Sequence, residues 1–377
     1  KKMNLGILTT SRADYGLLKN IILKLKKNNL FNVRLFVSGS HLHKKFGFTI
    51  NEILDDKIKI SGKIAFSEKD LHVSIPEISK KFSFLFLKNN INFLMLLGDR
   101  FEVFAAALGG FLVQIPLIHI HGGEKTFGSI DDTYRHLISK MSSVHFVSTK
   151  IYFDRLKRLG ENPKSIFNIG ALSIESIKQT NILDKKTILK ILKINSISKQ
   201  KIILCCIHPE TQNPSNKSII ISMLESLKKL DKCIIVFTFP NMDKGNDVII
   251  KQILKFNQTN ENVYIFKSLG SQKYYSLLKH SNIIVGNSSS GILEAPILKT
   301  PTINIGNRQL GRVKGSSVYD CVSNPKKIYN LVNKVLNMKK INFKHPYGNG
   351  NTSDKIHNIM IRLIKNNKIC FDKEFYD

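Results

Sequence analysis

Cysteine is scarce in this chain, and the few that occur are not spaced for a metal. The five are Cys205, Cys206, Cys233, Cys321 and Cys370, scattered along 377 residues with no C-x-x-C pair. An odd, unpaired set of this kind excludes a disulfide framework and a structural zinc site. Cys205 and Cys206 lie inside the apolar run Ile202 to Ile207, where packing within a buried strand is the expected role. Long apolar runs are missing too. Phe101 to Ile120 comes closest, but Gln114 and Pro116 interrupt it, and Asp99, Arg100 and Glu102 stand at its start. The chain runs from Lys1-Lys2 straight into a strand-like segment, without the apolar region and cleavage site of a secretory leader. The expectation is a soluble, cytoplasmic protein with no membrane partner.

Acidic residues are also few. There are 28 Asp and Glu against 58 Lys and Arg, a formal net charge of +30. Such a balance raises the question of nucleic acid. The lysines, however, are spread over what read as solvated helix faces, such as Lys19, Lys24, Lys26 and Lys27, or Lys185, Lys186, Lys190 and Lys193. No basic segment is interleaved with stacking aromatics. A lysine-rich compositional bias accounts for the charge, and no nucleic-acid partner is expected.

What is present is an alternation of apolar strand-like runs with amphipathic stretches, the pattern of parallel α/β domains. With 377 residues, 42% of them hydrophobic, two domains are expected. Strands are read at Met3 to Thr9, Val33 to Val37, Phe93 to Leu97, Pro116 to Ile120 and Val144 to Val147. A second series comprises Lys201 to Ile207, Cys233 to Phe239, Val263 to Phe266, Asn282 to Val285 and Pro301 to Ile305. Helices are read from about Tyr15, at Phe101 to Val113, near Asp131 to Ser142 and at Ser353 to Asn366. The polar stretch Asn181 to Lys199 also has helical spacing. The boundary is placed near Gly170, giving domains at 1–170 and 171–352 and a closing helix and tail at 353–377. Two Rossmann-like halves are expected to face a central cleft, with ligands at the carboxyl ends of the strands.

The strongest local signal is Val285-Gly286-Asn287-Ser288-Ser289-Ser290-Gly291-Ile292-Leu293-Glu294. A strand feeds a Gly/Ser turn and then a helix, so amides, hydroxyls and a helix dipole would converge on an anion. A plain serine cap explains the turn equally well when it is taken alone. Glu294, one turn on, could accept hydrogen bonds from ribose hydroxyls. Gly306-Asn307-Arg308-Gln309-Leu310-Gly311-Arg312 follows another strand and offers guanidinium groups to a pyrophosphate. Thr9-Thr10-Ser11-Arg12-Ala13-Asp14-Tyr15 is a further anion-suited turn, or a capping sequence with a surface arginine.

Carboxylates and histidines gather elsewhere. Gly98-Asp99-Arg100 ends a strand, with Asp99 either facing a cleft or capping the next helix. In His119-Ile120-His121-Gly122-Gly123-Glu124 alternation puts both histidines on one face of a strand. The two glycines then admit a close backbone approach. No third ligand suits a metal, and Glu124 is an acid/base candidate. Asp131 and Asp132 open a helix as stabilising first-turn acids, with Arg135 four residues after Asp131. His208-Pro209-Glu210 ends the first strand of the second half, where His208 would point into the cleft.

In this order the segments resemble the hydrolysing UDP-N-acetylglucosamine 2-epimerases of sialic and legionaminic acid biosynthesis. The resemblance runs from Ser11-Arg12-Ala13-Asp14-Tyr15-Gly16 through Gly98-Asp99-Arg100, the His119 to Glu124 segment, Arg135-His136 and His208-Pro209-Glu210. It continues through Gly286-Asn287-Ser288-Ser289-Ser290-Gly291 to Gly306–Arg312. It implies a GT-B-like fold, a homodimer, no cofactor and no metal. It also implies elimination of UDP from a UDP-sugar to a 2-acetamidoglucal, then hydration with inversion at C2 to N-acetylmannosamine. Asp99, Glu124 and Asp131 would share proton transfer and cation stabilisation, and His208 would assist departure of the leaving group. Arg12, Arg100, Ser288, Ser289, Glu294 and Arg308 would hold UDP and sugar, with Asn241 lining their path. Some relatives carry glutamate where His121 stands, which would shift the base's role here to Glu124 or Asp131. A relative acting on a 4-acetamido-4,6-dideoxy sugar nucleotide and a GT-B glycosyltransferase are the alternatives.

Overall fold

The computed structural model describes residues 2–43, 48–65, 71–126, 130–195, 200–210, 216–240, 245–338 and 343–377. The chain divides into two compact units. The first comprises Lys1–Glu124, Asp131–Ser176 and Tyr347–Asp377; the second comprises Lys125–Ile130 and Ile177–Pro346.

The first unit is built on β1 (Met3–Thr9), β2 (Phe31–Ser38), β3 (Ile60–Ile64), β4 (Phe93–Leu97), β5 (Leu117–Ile120), β6 (Val144–Val147) and β7 (Ile166–Asn168). Their order is β3-β2-β1-β4-β5-β6-β7, and every pairing is parallel. The strand β4 reads Phe-Leu-Met-Leu-Leu and is buried at all five positions. A parallel strand covered by helices on both faces requires that composition. Its side chains alternate between two cores. Phe93, Met95 and Leu97 join one cluster, and Leu94 and Leu96 join the other.

The second unit repeats the plan with β8 (Lys201–Cys206), β9 (Cys233–Thr238), β10 (Val263–Phe266), β11 (Ile283–Gly286), β12 (Thr302–Ile305) and β13 (Val318–Cys321). The order is β10-β9-β8-β11-β12-β13, again wholly parallel. In β8, Ile203 and Cys205 face one core while Ile202, Leu204 and Cys206 face the other. Both units are Rossmann-like, as the alternation predicted, and together they give the α/β make-up of a GT-B-like chain. In each unit the winding reverses once, between β1 and β4 and between β8 and β11. Ligands of such sheets bind outside the carboxyl ends of the strands that flank the reversal.

Three strands went unanticipated: β3, β7 and β13. All three lie at sheet edges; β3 and β7 each bury one residue and β13 none. Among the described residues of the stretch expected to be helical from Asn181 to Lys199, the helix is confined to Lys185–Ile191, where Asp184 accepts from Thr187 N at 2.9 Å. Among the described residues, no helix is long and apolar enough to cross a membrane.

The closing helix, Thr352–Lys365, belongs to the first unit. It packs on the helix Arg12–Lys26 and adds Ile356, Met360 and Leu363 to that unit's core. Its own N-cap residue, Asn351, is left-handed and makes no capping bond. Glu175 caps the helix from outside instead. Its buried carboxylate accepts from the Thr352 hydroxyl, from Ser353 N at 2.8 Å and from the Ser353 hydroxyl. Beyond the helix, Lys373 Nζ donates to the Ser142 carbonyl at 2.8 Å and to Glu161 at 2.7 Å. Glu175→Ala strands three buried donors and should cost about 2–4 kcal/mol in urea unfolding. A loss well under 1 kcal/mol would show that the cap is not needed.

Candidate functional site

Asp14 determines what the turn after β1 can bind. Its carboxylate accepts from Thr10 N at 2.9 Å, Ser11 N at 3.0 Å, the Thr10 hydroxyl at 2.7 Å and the Thr9 hydroxyl. With Ser11 it completes a capping box. The amides that made this turn look suited to an anion are therefore already engaged, and the capping reading prevails. Arg12 Nε lies 2.8 Å from Glu52.

At the end of β4, Asp99 is not a helix cap. The N-cap of Phe101–Leu112 is Arg100, without a side-chain capping bond. The Asp99 carboxylate instead pairs with the guanidinium of Arg135, which is buried. Sequence spacing pointed to Asp131 as the partner of Arg135. The guanidinium reaches Asp132 at 3.3 Å and, on another element, Asp99. Arg100 turns toward the buried Glu102, 3.1 Å away.

His119 is wholly buried in β5 and spans Gly98 O at 2.8 Å and Ser139 Oγ at 2.9 Å. A carbonyl can only accept, so Nε2 carries the proton and Nδ1 accepts from the serine. Burial pushes this imidazole down to about 3. Ser139 lies on the helix Asp131–Met141, which also carries Arg135 and begins at Asp131. One helix therefore braces the Gly98-Asp99 turn at two points.

His121 does not continue the alternation. The strand ends at Ile120, and His121 has φ +65°, a left-handed conformation. Its N–H still bonds Phe146 O at 2.8 Å. The ring accepts from Leu172 N at Nε2, 3.5 Å away, and lies 3.3 Å from Glu124 Oε1 through Nδ1. Glu124, also buried, accepts from Ser148 Oγ at 3.1 Å. Gly122 is required here, because a Cβ would come within 2.8 Å of Ser139 Oγ and 3.0 Å of His119 Nδ1.

In the second unit, three strand ends are tied together. The Asn287 side chain accepts from His208 N at 2.7 Å and donates to His208 O at 2.9 Å. Its backbone carbonyl accepts from Gln309 Nε2 at 2.9 Å and Arg308 Nη1 at 3.3 Å. Glu210, buried, accepts from Asn307 N at 2.7 Å and Arg308 N at 3.0 Å. Burial, and then the Arg308 guanidinium, hold the His208 imidazole well below its usual 6.5. The N–H groups of Ser288 and Ser289 donate to no acceptor among the described residues. The helix expected after them is a single turn, Ser290–Leu293, too short for a macrodipole. An anion here would be held by amides, hydroxyls and Arg308. Glu294 follows that turn. Burial raises its carboxyl, and the Ser290 hydroxyl beside it works the other way.

The structure thus brings Asp99 together with Arg135, Glu124 with His121, and His208 with Arg308 and Asn287. Arg12 and Arg100 pair with carboxylates of their own neighbourhoods, and Asn241 lies outside the described residues. Sequence reasoning missed Tyr274, whose hydroxyl donates to Ser290 Oγ at 2.6 Å. No spacing signal could have marked it. Among the described residues, no group of three His, Cys, Asp or Glu side chains is placed to hold a metal ion.

A family profile described as UDP-N-acetylglucosamine 2-epimerase matches residues 23–361. The chain is 39% identical over 328 residues to a GDP/UDP-N,N'-diacetylbacillosamine 2-epimerase (hydrolyzing) of Campylobacter jejuni, covering 85% of this chain and 84% of that one. It is 34% identical over 381 residues to polysialic acid biosynthesis protein P7 of Escherichia coli, covering 98% and 96%. A UDP-GlcNAc 2-epimerase of Neisseria meningitidis, solved bound to UDP-GlcNAc, matches with a TM-score of 0.82 over 96% of this chain and all of that one. At 21% identity, that match is a likeness of fold.

The buried histidines make stability depend on pH. Burial holds His119 near 3 and lowers His145 as well, whereas the unfolded chain titrates them at 6.5. Between those values the unfolded state binds protons that the folded one refuses, so this stability is complete above about pH 6.5 and lost on acidification. The urea midpoint should be level from pH 8 to 7 and fall from 6.5 toward 4. His119→Asn should start lower and fall less steeply; an equally steep fall in that variant would remove His119 from the account.

Proposed function

Because the chain belongs to the UDP-N-acetylglucosamine 2-epimerase family, we propose that it is a hydrolysing 2-epimerase. In this reading it expels UDP from UDP-N-acetylglucosamine and releases free N-acetylmannosamine, acting in the cytoplasm as a homodimer. The observation that carries the reading is the pair of supported carboxylates at the carboxyl ends of β4 and β5. Asp99 is held by a buried guanidinium, and Glu124 is buried beside His121 and Ser148.

The chemistry asks for such a pair. The C1–O bond to UDP breaks while the C2 proton is removed, leaving a C1–C2 double bond. Water then supplies hydroxyl to C1, and a proton returns to C2 from the opposite face. Removal on one face and delivery on the other need two proton-transfer groups, and the C2 proton is weakly acidic. C1–O cleavage must therefore run ahead, and nearby carboxylates stabilise the cationic character that develops. Asp99, Glu124 and Asp131 share these tasks. His208, neutral in the free protein, donates its N–H to the departing diphosphate, whose growing charge draws the imidazole back toward protonation. Ser288 and Ser289 amides with Arg308 receive the phosphates, and Glu294 takes the ribose.

A second reading keeps the reaction and changes the sugar. The Campylobacter relative's name specifies N,N'-diacetylbacillosamine, and its 39% identity weighs toward a substrate acetamidated at C4 and lacking the 6-hydroxyl. Proton NMR in D2O with each UDP-sugar separately, without added metal, decides between them. Turnover should give UDP and a free 2-epimeric sugar deuterated at C2. Release of the sugar without inversion would overturn the epimerase reading in favour of a transferase leaking to water. Asp99→Asn and Glu124→Gln should each lower turnover at least about a hundredfold with UDP affinity retained. Near-normal turnover would remove that residue from the mechanism.

A further inference from the structure

The loop that carries Glu124 is gripped by one element, the helix Lys150–Arg158 and the two residues that lead into it from β6. Ser148 follows the strand, and its hydroxyl donates to Glu124 Oε1 at 3.1 Å. Thr149 caps the helix, accepting from Tyr152 N at 3.3 Å. Tyr152, Arg155 and Leu156 are spaced three and four residues apart, so they share one face of the helix. That face lies against Gly123, where a Cβ would stand 2.6 Å from the Tyr152 carbonyl oxygen and 3.1 Å from Leu156 Cγ. Arg155 Nη1 donates to the Gly123 carbonyl oxygen. Its guanidinium lies 5.4 Å from the centre of the Tyr152 ring, within reach of a cation–π contact. That ring is wholly buried, with its hydroxyl 3.4 Å from the hydroxyl of Tyr347. The arginine is thus seated on a fixed surface and aimed at a single carbonyl.

We propose that Arg155 is a positioning residue for Glu124. The Gly123 carbonyl and the Glu124 N–H belong to one planar peptide unit. A hydrogen bond to that oxygen therefore fixes the plane from which the Glu124 side chain departs. Two glycines stand immediately before Glu124, and so permissive a backbone, left to itself, would spread the carboxylate over many positions. Arg155 restrains the backbone and Ser148 the carboxylate, both from the same element, so the group keeps to one place. Proton transfer rewards such placement, since a displacement of about 1 Å can cost about a hundredfold in rate. The inference rests on the reading of Glu124 as a proton-transfer group.

Steady-state kinetics of UDP release test the role, with UDP-N-acetylglucosamine or, if that is the one turned over, the diacetamido sugar nucleotide. Arg155→Met keeps a stem over the Tyr152 ring and removes the donor. It should lower kcat by about tenfold to a hundredfold, with KM and UDP affinity unchanged. Arg155→Lys, which can still donate to the carbonyl, should recover part of the loss, and Arg155→Gln carries the test if the methionine variant does not fold. Added to Glu124→Gln, Arg155→Met should cost nothing further, because no carboxylate is left to place. A wild-type kcat in Arg155→Met, or an undiminished further loss on top of Glu124→Gln, overturns the role of Arg155. Near-normal turnover in Glu124→Gln alone overturns the reading of Glu124 itself, and the two failures are thereby told apart.

Discussion

Two strand ends of the second unit meet so closely that only glycine fits between them. A Cβ on Gly286 would stand 2.0 Å from the Cys206 carbonyl oxygen. That approach lets Asn287 N bond Cys206 O at 3.1 Å and lets the Asn287 side chain satisfy both backbone groups of His208. The Asn287 carbonyl then collects Arg308 and Gln309. The seam at the reversal of winding thus fixes the loops after β8, β11 and β12 together. The backbone demands of that seam are met internally, and the next two amides, on Ser288 and Ser289, donate to no acceptor among the described residues. A binding surface made this way needs little reorganisation when an anion arrives.

The first unit solves a different problem. Its strand ends carry carboxylates rather than open amides, and each is restrained by a partner that itself sits in protein. Arg135 is fixed from the helix Asp131–Met141, and the same helix supplies Ser139 to the buried His119 that holds the Gly98 carbonyl. Before the double glycine this chain has His121, and the acid three residues later lies against it. A histidine in a left-handed turn beside Glu124 gives this loop a hydrogen-bond pattern that the alternation rule did not foresee.

What the sequence disclosed follows from burial. Inner strands such as β4 and β6 are buried throughout, and their limits were read to the residue. The edge strands β3, β7 and β13 bury at most one position each, so they lack the continuous apolar run by which a parallel strand is recognised. Motifs singled out the candidate loops because those loops follow buried strands. Pairings were another matter, since spacing sees only neighbours in sequence. Asp99 and Arg135 are 36 residues apart, and Tyr274 and Ser290 belong to different elements. The Thr9 to Tyr15 turn looked open for the same reason, because only geometry shows Asp14 filling it.

The Glu175 clamp bears on the order in which the molecule can be completed as it leaves the ribosome. Its partners, Thr352 and Ser353, lie 177 and 178 residues downstream. Until they emerge, the first unit lacks both the helix that covers part of its core and the donors for a buried carboxylate. The second unit, apart from the short segment Lys125–Ile130, is contiguous and ends at Pro346. Domains commonly close in the order of synthesis, but here the unit begun first must wait, and the later one can finish before it.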